Sequence, residues 1–184
     1  MKSILSITIL AFTFFLSCSP ATENVEKNEA RANVETPVSE EEKAINQLVA
    51  DAYKALNFKT GTQPDYEAIK ALFTAKATLV NMGGESPEFS FIDDFIAGFK
   101  AAIDAGELTS VREWELGGET ESFGKIGHRI SASNAIFNEN EEAAEKNVNS
   151  FQVVKVDGKW LINSIVWDVE SEGMPIPVQY LTKQ

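Results

Sequence analysis

Asn147-Val148-Asn149-Ser150-Phe151-Gln152-Val153-Val154-Lys155-Val156, Asp157-Gly158, Lys159-Trp160-Leu161-Ile162-Asn163-Ser164-Ile165-Val166-Trp167-Asp168-Val169: two apolar runs meet at a two-residue turn. Asp-Gly between such runs predicts a β-hairpin, because both turn positions need positive φ and these residues tolerate it. The strands are read as 147–156 and 160–169. Upstream, 138–142 is a polar loop, and 123–137 is a long strand with Ile126, His128, Ile130 and Ile136 on one face. Residues 108–116 also alternate, placing Leu108, Ser110, Arg112, Trp114 and Leu116 together. A period of two therefore runs from Gly106 to Val169 and predicts a four-strand antiparallel meander.

Before Gly106 the period is helical. Ser39 followed by Glu42 is a capping box. It opens a helix whose stripe is Ile45, Leu48, Val49, Ala52, Tyr53 and Leu56. Asp65 caps a second helix carrying Tyr66, Ile69, Leu72 and Phe73, and residues 77–82 form a short strand ended by Gly83-Gly84. Ser90 is read as the cap of a third helix with Phe91, Ile92, Phe95, Ile96, Phe99 and Ile103 on its apolar side, stopping at Gly106. Helices first and strands last indicate an α+β fold, three N-terminal helices packed on one face of a strongly curved, mainly antiparallel sheet.

Several segments in this order resemble the nuclear transport factor 2-like superfamily, the cone shared with ketosteroid isomerase and SnoaL-like polyketide cyclases. They are Tyr53-Lys54-Ala55-Leu56, Ile69-Lys70-Ala71-Leu72-Phe73, Ala77-Thr78-Leu79-Val80, Phe123-Gly124-Lys125-Ile126 and Val156-Asp157-Gly158-Lys159-Trp160-Leu161-Ile162. The resemblance covers roughly residues 40–180. It implies a cone-like half-barrel with a pocket at its open end. It also implies a test for chemistry. The isomerase needs a carboxylate base at the end of the first strand, and that position falls on Asn81, whose amide cannot take up a proton at neutral pH. Tyr53 could stand for the oxyanion-stabilising tyrosine, or be a core aromatic with its hydroxyl near the pocket.

The remaining candidates each carry two readings. His128, the single histidine, has an ordinary pKa suited to general base work; it can equally be a hydrogen-bonded strand residue. A single His excludes the paired-His arrangement of dehydratase relatives. Trp114 and Trp167 could line a pocket for a flat apolar ligand, with Arg112, Gln152 and Asp168 as polar anchors. They could instead fill the interface between sheet and helices. Asp168 alternates with Trp167, so it can face solvent. No zinc-ligand spacing, phosphate loop or nucleophile elbow is present, and no cofactor is expected. The tail Gly173-Met174-Pro175-Ile176-Pro177-Val178-Gln179-Tyr180-Leu181 is extended by two prolines. It is a plug or lid, a dimer contact, or an edge cover.

The N-terminus speaks to location. Ile4 to Leu16 is short for a spanning helix and suits a signal-peptide apolar region behind Lys2. Phe15-Leu16-Ser17-Cys18 resembles a bacterial lipobox, where cleavage precedes the Cys and the Cys then carries lipid. Ordinary secretion is the alternative. The expected layout is a signal peptide at 1–17, a lipidated Cys18 with a polar tether to residue 38, and one domain at 39–184. Cys18 is the only cysteine, so no internal disulfide can form. Cleavage removes Lys2 and no acidic residue, leaving the chain one charge more negative than its formal −12. That balance argues against nucleic acid and against a polybasic grip on anionic lipid.

Three functions fit the sequence. The first is a lipid-anchored, non-catalytic envelope domain binding a small apolar or amphipathic molecule through Tyr53, Trp114, His128 and Trp167. The second is a cyclase- or isomerase-type enzyme using His128 or Asp168. The third is an interaction module that dimerises through its sheet with a filled pocket.

Overall fold

The computed structural model describes residues 38–182. Cys18, the signal segment and nearly all of the tether lie outside the described residues. Three helices, α1 (Glu40–Leu56), α2 (Tyr66–Lys70) and α3 (Ile92–Asp104), accompany six strands: β1 (Phe73–Asn81), β2 (Glu88–Phe91), β3 (Val111–Phe123), β4 (Ile126–Phe137), β5 (Glu145–Val156) and β6 (Lys159–Val169). They form one sheet in the order β2-β1-β6-β5-β4-β3. All pairs are antiparallel except β1 with β6. The helices lie against its concave inner face, an α+β cone.

The hairpin that decided the fold is present. Asp157 and Gly158 adopt φ of 49° and 81°, and β5 pairs with β6 from Val156↔Lys159 onward. The first helix starts where its capping box puts it. Ser39 Oγ accepts from the Glu42 amide at 3.2 Å, and Glu42 Oε2 accepts from the Ser39 amide at 2.8 Å. Its buried stripe is Ile45, Leu48, Val49, Ala52 and Tyr53. Complete burial of one large aliphatic chain such as Ile45 contributes roughly 1.5–3 kcal/mol, so this stripe is the helix's main hold on the sheet. Its first turn is also tied to the hairpin. Glu41 takes hydrogen bonds from Lys155 Nζ at 2.6 and 2.8 Å and from Trp160 Nε1 at 2.7 Å. Those bonds hold the Glu41 carboxyl below its ordinary pKa, the Lys155 bond first.

Four boundaries differ from the sequence reading. Helix α2 ends at Lys70, because Ala71 caps it and Leu72 turns to accept from the Ile162 amide at 2.9 Å. Phe73 therefore begins β1, opposite Ile162. Ser90 is not the cap of α3. It sits in β2, and Phe91 occupies the cap position without a side-chain bond. Strand β2 escaped the reading because it is a four-residue edge strand with Phe89 and Phe91 exposed, so it has no buried alternate face to announce it. Finally, β3 continues through Gly117-Gly118 to Phe123, across a bulge between Glu115 and Gly117.

The tail lies on the outer face of the sheet. Its last turn, Val178–Leu181, packs on β3 and β4. A Cβ at Gly117 would stand 2.7 Å from Leu181 C and 2.8 Å from the carbonyl oxygens of Tyr180 and Thr182. Only glycine admits the tail there. Ala132 on β4 is fully buried although its face is the outer one, consistent with this cover. No described helix is long and apolar enough to cross a membrane.

Candidate functional site

A cavity of about 240 Å³ opens between α1, α3 and the inner face of the sheet. Its walls are apolar: Leu56 from α1, Phe95 and Phe99 from α3, Leu79 from β1, Phe151 from β5, and Ile165 and Trp167 from β6. Phe95 and Phe99 stack with ring centroids 6.0 Å apart, and Phe58 and Tyr66 brace Phe99 edge-on at 5.9 and 6.5 Å. These contacts fix α3 as a wall although only Ile92 in it is buried. The polar part of the lining is Tyr53, Glu113, Glu145, Asn147 and Asn149.

These polar groups belong to a band across three strands. Glu115, Ser133 and Asn147 stand in one cross-strand row, and Ser131 pairs with Asn149 in the next. The band is anchored by Arg129, which is 2% exposed. Its Nε donates to Glu115 Oε1 at 2.8 Å, and its Nη1 donates to Asn46 Oδ1 and Thr120 Oγ1 at 2.8 and 2.6 Å. Gly118 leaves the space for that guanidinium, since a Cβ there would sit 3.1 Å from it.

Arg129 sets the direction of the whole chain of bonds. Glu115 accepts from the guanidinium, and its carboxylate serves as an acceptor. Ser131 Oγ therefore donates to it, at 2.6 Å. The Tyr53 hydroxyl then donates to Ser131 Oγ at 2.8 Å and accepts from Asn149 Nδ2 at 3.1 Å. Asn149 Nδ2 also donates to Ser133 Oγ at 3.0 Å, and the Ser133 hydroxyl donates to Glu113 Oε1 at 2.7 Å. Burial, with the charges of Glu113 and Glu115, pushes the Tyr53 hydroxyl far above its ordinary pKa. Tyr53 thus stays neutral, and its one proton is already used. It cannot donate to an oxyanion without breaking this chain.

Glu113 is different. Its backbone is pinned by the end of α1, with Asn57 Oδ1 accepting from its amide at 2.7 Å and Asn57 Nδ2 donating to its carbonyl at 2.9 Å. Its carboxyl faces the cavity with one oxygen engaged by Ser133. Burial raises its pKa above the ordinary carboxylate value, and the charge of Glu145 adds to the rise.

Of the residues singled out from sequence, the cavity brings together Tyr53 and Trp167. Trp114 and His128 do not join them. Trp114 is 38% exposed and lies under the Arg112 guanidinium at 5.1 Å, and Arg112 in turn pairs with Glu141. His128 alternates with Arg129, whose side chain points inward to Asn46 and Glu115, so the imidazole is on the outer face beside exposed Ile126. Asp168 is exposed and accepts from the Val169 amide at 2.8 Å. Arg112 and Gln152 are exposed too. In β3 and β4 the apolar-looking face is the outer one, because Glu113, Glu115, Arg129 and Ser133 point inward. Asn81 pairs in register with Trp167 but does not line the cavity. Its amide donates to Glu88 Oε2 at 3.3 Å and accepts from the Gly83 amide at 3.0 Å.

Glu113, Glu145, Asn147 and Asn149 were missed. Their signal was in the sequence: Glu113/Glu115, Ser131/Ser133 and Asn147/Asn149 are polar pairs two residues apart on three successive strands. Among the described residues no group of three His, Cys, Asp or Glu could hold a metal ion.

No family model matches the chain, and no curated protein matches it in sequence. Solved structures do match in three dimensions. A nuclear transport factor 2-like protein of unknown function from Silicibacter pomeroyi superposes with a TM-score of 0.52 at 22% identity, covering 73% of this chain and 100% of its own. A second, from Pseudomonas putida, gives 0.58 at 12%, covering 73% and 91%. A protein from Novosphingobium aromaticivorans, whose assignment as a scytalone dehydratase is provisional, gives 0.54 at 17%, covering 71% and 85%. At these identities the likeness is one of fold, and it agrees with the strand order, the bent sheet and the helix-lined cavity: the chain has the nuclear transport factor 2-like fold.

Proposed function

We propose that the domain binds one small, mostly apolar molecule in the cone, without transforming it, while held at the bacterial cell envelope by lipid on Cys18. The observation that carries the binding reading is the cavity itself, apolar on its walls and polar at one end through Glu113, Asn147 and Asn149. Apolar walls with a few convergent polar groups are the usual form of a small-molecule site, commonly about 300–1,000 Å³. A space of about 240 Å³ suits a small guest.

The catalytic alternative with His128 or Asp168 as base has less support. A base must come within hydrogen-bond reach of its substrate. His128 and Asp168 face away from the cavity, and the Asn81 amide is tied into a turn.

The test is extraction of the purified chain and mass spectrometry of what leaves it. A recurring small molecule, near one per chain, is expected from wild type. It is expected to be lost from Ala52→Phe, which fills the cavity from the α1 side, provided the variant keeps its circular dichroism. Nothing recovered, together with unchanged tryptophan emission on adding apolar probes, sinks the reading.

A further inference from the structure

One atom at the polar end of the cavity has its chemistry fixed from elsewhere in the fold. Asn149 on β5 lines the space and is 7% exposed. Its neighbours set the orientation of its amide. The chain of bonds that starts at Arg129 spends the Tyr53 proton on Ser131, and the Ser133 proton goes to Glu113. Both hydroxyls are left as acceptors toward Asn149, and both take a proton from its Nδ2, at 3.1 and 3.0 Å. The other end of the amide is therefore Oδ1, which can only accept. Among the described residues nothing donates to it. The polar side-chain atoms shut in without a partner are the Tyr66 hydroxyl and Asn147 Oδ1. Asn149 Oδ1 is not one of them, so it keeps accessible surface, and the cavity is the space it opens on.

A second oxygen stands beside it. Glu113 Oε1 and Asn149 Nδ2 are bonded to the same Ser133 hydroxyl, at 2.7 and 3.0 Å, which holds carboxyl and amide next to one another. Glu113 Oε2 has no partner among the described residues and is not shut in either. The guest must therefore bring a proton to this end. A ketone or ether brings only acceptors, and leaves a buried acceptor unpaired. An anion meets no Lys, Arg or His in the lining. An ammonium among apolar walls needs an ionised partner, whereas burial pushes the Glu113 carboxyl toward its protonated form.

We propose that the guest is a small neutral alcohol or phenol whose hydroxyl donates to Asn149 Oδ1. This rests on the cavity-binding reading above and narrows it to a chemical class. A hydroxyl has one proton and two lone pairs, so after donating to Asn149 its oxygen can still accept from the Glu113 carboxyl. The apolar stem lies toward Phe95, Phe99 and Trp167, which line the same space. Asn149 then determines specificity, and Tyr53 and Ser133 position it.

Calorimetric titration of the full chain at neutral pH with n-hexanol and its isomer methyl pentyl ether tests this. The two have similar apolar surface, and only the alcohol has a proton to give. Hexanol is expected to bind about tenfold tighter than the ether, and tighter than n-hexylamine or n-hexanoate. Asn149→Leu keeps the branched shape without an acceptor. There the ratio of alcohol to ether affinity is expected to fall to about one, with ether binding kept as the sign of an intact cavity. Glu113→Gln keeps an acceptor for Ser133, and its ratio is expected to stay within about twofold of wild type. The proposal is overturned if the ether matches the alcohol in wild type, or if the amine or hexanoate binds tighter than hexanol. It is overturned equally if Asn149→Leu keeps the full ratio or Glu113→Gln loses it. Should Asn149→Leu not fold, wild type and Glu113→Gln decide. Equal binding of alcohol and ether would leave the cavity reading standing and remove only the hydroxyl. If none of the four binds, both fall together.

Discussion

At the scale of single residues, Glu113 is the most consequential side chain in the domain. Burial raises its pKa, the Ser133 bond opposes the rise, and the charge of Glu145 adds a smaller push upward. The sign of its effect on stability follows. A carboxyl whose pKa is higher folded than unfolded favours folding when protonated. Its contribution is complete below the ordinary carboxylate value and is lost as pH rises through the folded pKa. Glu113→Gln keeps the shape and the acceptor for Ser133 but cannot ionise. The variant should therefore gain stability over wild type as pH goes from about 4 to about 8. Calorimetric melting of both chains across that range reads the difference, in which most other titrating groups cancel. A gap that stays constant with pH would remove the buried, ionisable role of Glu113. Asn149 is the complementary case. It is buried, and its Nδ2 bonds to both Tyr53 and Ser133, so it orders those two hydroxyls at the cavity's polar end.

At the scale of elements, two adjacent glycines in β3 do opposite jobs because a strand alternates its faces. Gly118 faces inward, where a Cβ would strike the Ile130 carbonyl oxygen and crowd the Arg129 guanidinium. Gly117 faces outward, against the backbone of Tyr180, Leu181 and Thr182. Gly118→Ala should thus disturb the Arg129 anchor and cost about 1–3 kcal/mol, the usual scale for overpacking. Gly117→Ala should instead push off the tail, leaving the core melting nearly unchanged while carboxypeptidase trims the chain to about Gly173. Denaturant titration and timed digestion distinguish them; equal effects from both would contradict the assignment of faces. This same alternation explains what sequence could and could not convey. The positions of α1 and of the β5–β6 hairpin were legible because a capping box and an Asp-Gly turn act locally. The phase of β3 and β4 was not. There the inner face carries Glu113, Glu115, Arg129, Ser131 and Ser133, a polar band satisfied only across strands and against α1. A rule that puts apolar residues inside assigns such strands backwards. Trp114 and His128 were placed in the pocket for that reason, while Tyr53 and Trp167, in elements of ordinary apolar phase, reached the cavity.

At the scale of the whole molecule, the domain and its N-terminal extension answer different questions. Residues 19 to about 38 are polar and carry no aromatic side chain. The domain they join is acidic, so charge would keep it off an anionic surface rather than on it. The cavity's chemistry and the proposed anchor are separable, and that anchor would rest on one atom, the Cys18 sulfur. Growth with radiolabelled palmitate should label wild type and leave Cys18→Ala unlabelled, and the variant should move from the membrane pellet to the soluble exported fraction. Its ligand binding should be unaltered, since no described residue before Ala52 lines the cavity. Equal labelling of both chains would remove the lipid from this account. Loss of ligand binding in Cys18→Ala would contradict the separation of anchor and cavity, since no described residue before Ala52 lines the cavity.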